Sequence, residues 1–465
     1  MELKTQEDVR RAAAGIAGGH ADALDALAFA GVFGAHDVQD AARAAVMDQA
    51  RSAGIYPASI DALYRARGRD ETPLHFTVPA VNIRGLAYDS ARALFRARRA
   101  LDAGAVIHEI ARSEIGYTGQ RPAEYTFVTI AAALREGWKG PVFIQGDHFQ
   151  INAKKYAADA AAELKTVQEL ILEALEAGFY NIDVDSSTLV DLKLATLEGQ
   201  QGANGGVCAE LTAFIRRHQP QGVMVSVGGE IGEVGGHNSR PVELHAFMNV
   251  YQEALAQIDP ALEGISKISV QTGTSHGGVP RPDGTIAEVK LDFEVLETLS
   301  RMAREQYHLA GAVQHGASTL PLDLFDHFPK VGACEIHLAT EFQNMLLDHP
   351  TFPAGLKREI YEQLRLTAAD ERKPTDTDEQ FFYKTRKKAL GPFKRELWSL
   401  PGDTREAIGA TLEERFRFLL TQLGVTDTRR LVERWTPPVA SAFPRLTGAA
   451  IAAGRSPEDV TGLSD

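Results

Sequence analysis

Three histidines each close a short apolar run beside glycine. His148 ends Val142-Phe-Ile-Gln-Gly-Asp-His148, His276 ends the run that begins at Lys267 and precedes Gly277, and His315 ends Ala312-Val-Gln and precedes Gly316. Imidazoles from three separate strand ends meet at one point only if the strands are neighbours in a curved sheet. Three converging imidazoles with an open fourth position are what a catalytic zinc requires.

The elements that would have to position them are legible as alternation. Eight β-branched or apolar runs, at 76–82, 105–110, 142–148, 180–186, 223–230, 267–273, 311–315 and 333–340, alternate with alanine- and leucine-rich stretches of helical period. One such helical stretch spans 161–177, with Gly178 as its C-terminal stop. Eight βα units predict a TIM (β/α)8 barrel rather than an open sheet. Polar residues collect at the C-terminal ends of the runs: Asn82, Glu109, Asp147 with His148, Asp183 with Asp185, Glu230, His276, His315 and His337. In a barrel those ends share one rim, where barrel enzymes place their chemistry.

Residues 1–74 read as a helical extension, 75–345 as the barrel, and 346–465 as a second helical extension with helices near 356–366, 381–388 and 412–423. The charged, proline-containing stretch 370–379 marks a boundary or loop.

Of the 465 residues, 62 are Asp or Glu and 49 Lys or Arg, a net charge of -13 that argues against nucleic acid or an anionic membrane as partner. No apolar run of about 18 residues suggests a membrane span. The start, Met-Glu-Leu-Lys-Thr-Gln-Glu-Asp, lacks the features of a signal peptide, so a cytoplasmic location is expected. Cys208 and Cys334 have no metal-type spacing, and Cys334 in an apolar run reads as a core residue.

Six blocks in this order resemble the class II ketose-bisphosphate aldolases: Asp147-His148, Gly178 to Ser186, Gly229 to Gly236, Gly273-Thr-Ser-His-Gly277, His315-Gly-Ala-Ser318 and Glu335-Ile-His-Leu-Ala-Thr340. The resemblance covers about residues 76–345. Gly116-Tyr-Thr-Gly119 and the helical C-terminal part are also similar to the accessory, non-catalytic subunit of tagatose-bisphosphate aldolase. The resemblance implies His148, His276 and His315 as ligands of Zn2+ or another divalent transition metal, which would act as Lewis acid for an enediolate. It implies Asp147 as the carboxylate that exchanges a proton with the aldol hydroxyl. Asp185 and Glu230 match rim carboxylates that hold an alternative metal position or brace the ligand histidines, with a structural ion pair as the competing reading. Asn82, Gly277, Ser318 and Thr340 match substrate and phosphate contacts.

Four departures from the family pattern mark where the substrate is read. The family's Lys-x-Asn-x-x-Thr is Glu335-Ile-His337-Leu-Ala-Thr340, which brings a carboxylate where an ammonium is expected and a substrate-contacting histidine in place of asparagine. A carboxylate there repels a phosphate unless it points into the barrel. The acidic loop after Gly235-Gly236 is His237-Asn-Ser-Arg240, which leaves His237 as the candidate base. The serine after the second strand is replaced in Ala111-Arg112-Ser113, where Arg112 is either a bidentate clamp on an anion or a structural arginine.

The expected activity is therefore that of an aldehyde-lyase, a class II aldolase cleaving a phosphorylated ketose. A metal-dependent epimerase on the same barrel and an accessory subunit without turnover stay open. The Lys384-Thr-Arg-Lys-Lys388 cluster is a solvated helix face or an arm whose Arg386 reaches a neighbouring subunit's substrate. A homo-oligomer built on dimers is the base expectation.

Overall fold

A computed structural model describes residues 2–17, 20–232, 234–273, 291–317, 320–446 and 463. Its strands are β1 (Ile55–Ala58), β2 (Val78–Asn82), β3 (Ile107–Ala111), β4 (Gly140–Gln150), β5 (Asn181–Asp185), β6 (Ser226–Glu230), β7 (Lys267–Ser269), β8 (Ala312–Gln314) and β9 (Glu335–Leu338). Strands β2 to β9 pair in parallel with their sequence neighbours, and β9 pairs with β2, so the sheet closes on itself. All eight expected runs form barrel strands, and the TIM barrel with helical extensions is the observed architecture.

β1 is an addition that the sequence reading missed. Its four residues pair with Gly140 to Phe143 at the start of β4, inside a segment expected to be helical. The helix that follows, Asp61–Gly68, closes the N-terminal end of the barrel. Arg67 is fully buried and donates to the main-chain carbonyls of Phe76 (2.8 Å), Ala310 (3.1 Å) and Ala333 (3.2 Å), tying the helix to three segments of the barrel floor. Residues 55–68 thus pack against the start of β4 and the barrel floor.

Helices form where the patterns place them. Ala160–Glu176 is capped by Asp159, whose side chain accepts from the Ala162 N–H at 3.0 Å, and the chain leaves it through Gly178 at φ +90°. The extensions pack on the outer helices of the barrel. Gly402–Gln422 buries Leu412 and Phe416 and is tied to Ala87–Ala100 by the ion pairs Arg96–Glu413 and Arg405–Asp89. Ala21–Phe33 meets Pro122–Arg135, where Gly31 faces the Phe127 ring and a Cβ would fall 2.3 Å from it. Among the described residues no helix is long and apolar enough to cross a membrane.

Strand register decides which side chains enter the barrel. Asn82 lies opposite Glu109, Glu109 opposite Gln145, Gly228 opposite Lys267, and Val313 opposite Glu335. Barrel interiors are ordinarily layers of branched apolar residues. Here Glu109, Gln145, Asp147, Asp183, Lys267, Glu335 and His337 are buried together, so the centre is an ionic network instead.

Candidate metal centre

β4 delivers Asp147 and His148 on adjacent residues, which an ordinary strand would send to opposite faces. His148 has φ +40°, a left-handed conformation, and the pairing of β4 with β5 shifts register between Gly146 and Phe149. The bulge turns both side chains to the same chamber; a non-glycine residue in this conformation costs roughly 1–2 kcal/mol, which the surrounding contacts must offset.

His148 Nδ1 lies 3.1 Å from Asp185 Oδ2 and 3.2 Å from Glu230 Oε2, while its Nε2 lies 2.7 Å from His315 Nδ1. The His315 ring stands edge-on to His148, with centroids 4.4 Å apart, and its Nε2 meets the Ser269 hydroxyl at 2.8 Å. One donor atom from each of His148, Glu230 and His315 lies within 4.8 Å of the others, and all three residues line the chamber. Two imidazoles and a carboxylate suit zinc or another divalent transition metal. Asp185 is occupied differently. Its Oδ1 accepts from the Ser187 N–H and hydroxyl and its Oδ2 from Gln150, so it is set to orient His148 from behind.

Asp147 sits beside this group with its Oδ1 3.7 Å from His148 Nε2. Asn82 Nδ2 donates to Asp147 Oδ2 at 2.9 Å and His337 Nδ1 to Oδ1 at 3.1 Å. Burial works to raise the Asp147 pKa, but the charges of His148 and His337 and the His337 hydrogen bond hold it well below the carboxylate range. Burial likewise opposes charge on His148, and Asp147 and Glu230 overcome it, raising that pKa well above the histidine range. A metal arriving at His148 must therefore displace a proton.

The other expected residues fall into three groups. His276, Gly277 and Ser318 lie outside the described residues. Thr340 opens the helix Thr340–Leu347 on the rim, 3.4 Å from the Arg84 guanidinium. Arg112, Arg386 and His237 have their contacts elsewhere. Arg112 is buried and donates to Glu163 (2.7 Å) and to the Gln150 carbonyl (2.5 Å), bracing the end of β4. Arg386 is buried against Asp348 (2.7 Å) and Asn344. His237 is 43% exposed, with Nδ1 on the Asn238 carbonyl and Nε2 3.6 Å from Glu243.

Several site residues were not anticipated. Arg84 pairs with Glu114 at 2.5 Å, and Glu114 also receives Asn82 Nδ2 at 2.9 Å, so this pair sets the asparagine that holds Asp147. Glu335 does point into the barrel, which removes the expected clash with an anion: it accepts from Tyr64, from Gln145 at 3.0 Å, and from Lys267. Lys267 of β7 is thereby the buried counter-ion of Glu335. For Lys267 the sequence signal was a charged residue opening the run 267–273.

A family model described as "Fructose-bisphosphate aldolase class-II" matches residues 72–396, more than half of the chain. A solved structure titled a probable tagatose 6 phosphate kinase, from Sinorhizobium meliloti, is 16% identical with a TM-score of 0.53, covering 81% of this chain and 98% of that one. Fructuronate-tagaturonate epimerase from Cohnella laeviribosi is 12% identical with a TM-score of 0.53, covering 83% and 86%. Fructose-bisphosphate aldolase from Campylobacter jejuni is 16% identical over 80% and 97%, with a TM-score of 0.45. The two likenesses with TM-scores of 0.53 show the fold alone, and the family match goes further: the chain belongs to the class II fructose-bisphosphate aldolase family.

Proposed function

We propose that this protein is a metal-dependent aldehyde-lyase that cleaves a phosphorylated ketose. The observation that carries this reading is the convergence of His148, Glu230 and His315 with Asp147 directly beside them. His148 and His315, joined by His276 and with Glu230 as a further carboxylate ligand, would hold Zn2+ or a similar divalent ion. A divalent ion held there would supply Lewis acidity for carbonyl chemistry.

The chain's own residues do the rest. Asp185 fixes the His148 ring by accepting at Nδ1. Asp147, kept ionised by its histidine neighbours, takes the proton of the hydroxyl that becomes the aldehyde and returns it in the aldol direction. Asn82 and His337 hold the two Asp147 oxygens, so the acceptor is fixed before substrate arrives. Thr340, beside Arg84, is suited to an anionic end of the substrate, together with Gly277 and Ser318. His237 is the candidate base for the donor carbon.

The test is a retro-aldol screen. Metal-loaded protein is incubated with ketose mono- and bisphosphates, and released aldehydes are trapped. A trapped aldehyde, abolished by Asp147→Asn with metal content unchanged, supports the lyase reading. Conversion of a ketose into its epimer without a trappable aldehyde replaces it with epimerase chemistry.

A further inference from the structure

Glu335 occupies the position from which a strand-borne ammonium would be expected, yet it is fully buried beneath the site. Its Oε2 accepts from the Tyr64 hydroxyl, which rises from the helix that closes the barrel floor. Its Oε1 accepts from Lys267 Nζ, from Gln145 Nε2 at 3.0 Å, and from His337 Nε2 at 2.7 Å. Lys267 is held in turn by Gln145 Oε1 at 2.9 Å and Asp183 Oδ1 at 2.9 Å. Space for this arrangement comes from Gly228 on β6: a Cβ there would lie 2.3 Å from Asp183 Oδ1 and 2.9 Å from Lys267 Cε. The carboxylate is therefore fixed from below by groups that have no access to substrate.

What it fixes above is the ring of His337. That ring lies parallel to His315, with centroids 4.1 Å apart and planes 22° apart, so its plane is set by stacking. Stacking does not choose between the two flipped orientations of an imidazole. An acceptor at one nitrogen does, by the same logic that lets a buried carboxylate orient a catalytic histidine. With Nε2 on Glu335, Nδ1 faces Asp147 Oδ1 at 3.1 Å and Glu109 Oε1 at 3.2 Å.

We propose that Glu335, backed by Lys267 and Tyr64, is a positioning residue: it holds His337 so that Nδ1 donates to Asp147 and aims that carboxylate at the substrate hydroxyl. This rests on the reading of Asp147 as proton carrier. A misplacement of about 1 Å in such a group costs on the order of 100-fold in rate. In Glu335→Gln a single amide oxygen must serve Tyr64, Lys267 and Gln145, and the amide N–H2 cannot accept from His337.

The experiment compares wild type, Glu335→Gln and the double variant Lys267→Met/Glu335→Leu, all metal-loaded, with a cleavable ketose. Both variants are expected to keep metal content and KM within about threefold while kcat falls on the order of 100-fold. The double variant removes the Lys267–Glu335 pair together but leaves Asp183 without its cation, so its melting temperature is read beside kcat to separate folding from positioning. A double variant with wild-type melting temperature and kcat within threefold of wild type overturns the proposal, as does an unchanged kcat in Glu335→Gln. Imidazole 15N spectra of histidine-labelled protein give a readout independent of turnover. A His337 Nδ1–H signal present in wild type and altered in Glu335→Gln supports positioning, and identical spectra overturn it. If metal-loaded wild type cleaves no ketose, the lyase reading fails, and the 15N comparison still decides the role of Glu335.

Discussion

Lys267→Met is the perturbation whose cost follows most directly from the barrel interior. Lys267 Nζ is 2.9 Å from both Gln145 Oε1 and Asp183 Oδ1 and bonds Glu335 as well, with its side chain 1% exposed. Methionine keeps the length and the apolar stem, so the loss is the charge and its three hydrogen bonds rather than volume. Two buried carboxylates then face each other without their cation, and orphaning a buried ion partner costs about 3–5 kcal/mol. The pH dependence has a defined sign. In wild type, burial raises the Glu335 pKa but Lys267 and His337 outweigh it, bringing it down to about 2. The stability this carboxylate contributes is therefore present above its unfolded value of about 4.3, and it is lost as pH falls toward 2. Without Lys267 the pKa of Glu335 rises from that low value, and that of Asp183, which burial already raises to about 6, rises further. Their stability is full below about pH 4 and declines as pH rises through the folded values. The deficit of the variant is thus largest at pH 8 and shrinks toward pH 5. Urea unfolding of the metal-free proteins, followed by tryptophan fluorescence and circular dichroism at both pH values, measures it. A loss under about 1 kcal/mol at pH 8, or an equal loss at both pH values, refutes the assignment of Lys267 as the network's counter-ion.

Other consequences are more local. Gly228→Ala is expected to cost about 1–3 kcal/mol by overpacking against Asp183 and Lys267, and urea midpoints read this directly. Arg112→Met strands Glu163 in a buried site and is expected to cost about 3–5 kcal/mol, with KM unchanged within threefold; a selective rise in KM shows instead that Arg112 clamps substrate. Asn82→Leu removes the donor to Asp147 Oδ2 while Arg84–Glu114 remains; kcat is expected to fall on the order of 10–100-fold at constant metal content, and loss of metal without loss of kcat per bound ion contradicts that role.

The barrel was legible because each of its strands is a run of apolar or β-branched residues bounded by helix and glycine, a local signal. β1 was not, since Ile55-Tyr-Pro-Ala58 is too short for a period and pairs only with a strand some 85 positions away. The chemistry-bearing ends of the strands were legible for the same reason: Asp147, His148, Glu230 and His315 all terminate runs. What lies beneath them was not. A lysine that opens a strand, like Lys267, reads as the exposed entry to the sheet, and only the register of β6, β7 and β9 shows it directed inward beside Gly228 and toward Glu335. The same register explains Glu335. At a rim it would repel an anion, whereas one layer lower it is a partner for Lys267 and an anchor for His337. Arg112 and Arg386 illustrate the converse limit, because a positive charge near a strand end or on a helix looks identical in sequence whether it meets a substrate or, as here, Glu163 and Asp348.

The central claim is that His148, His315 and Glu230 hold one catalytic divalent ion beside Asp147. Its most direct test is the metal content of the purified protein, followed by cobalt titration of the chelated protein monitored by visible absorption. A single ion per chain and a saturable cobalt spectrum with nitrogen and oxygen ligands are expected, both lost in His148→Ala and His315→Ala and retained in Asp147→Asn. Protein that takes up no ion, or binds it equally well without His148 and His315, contradicts it.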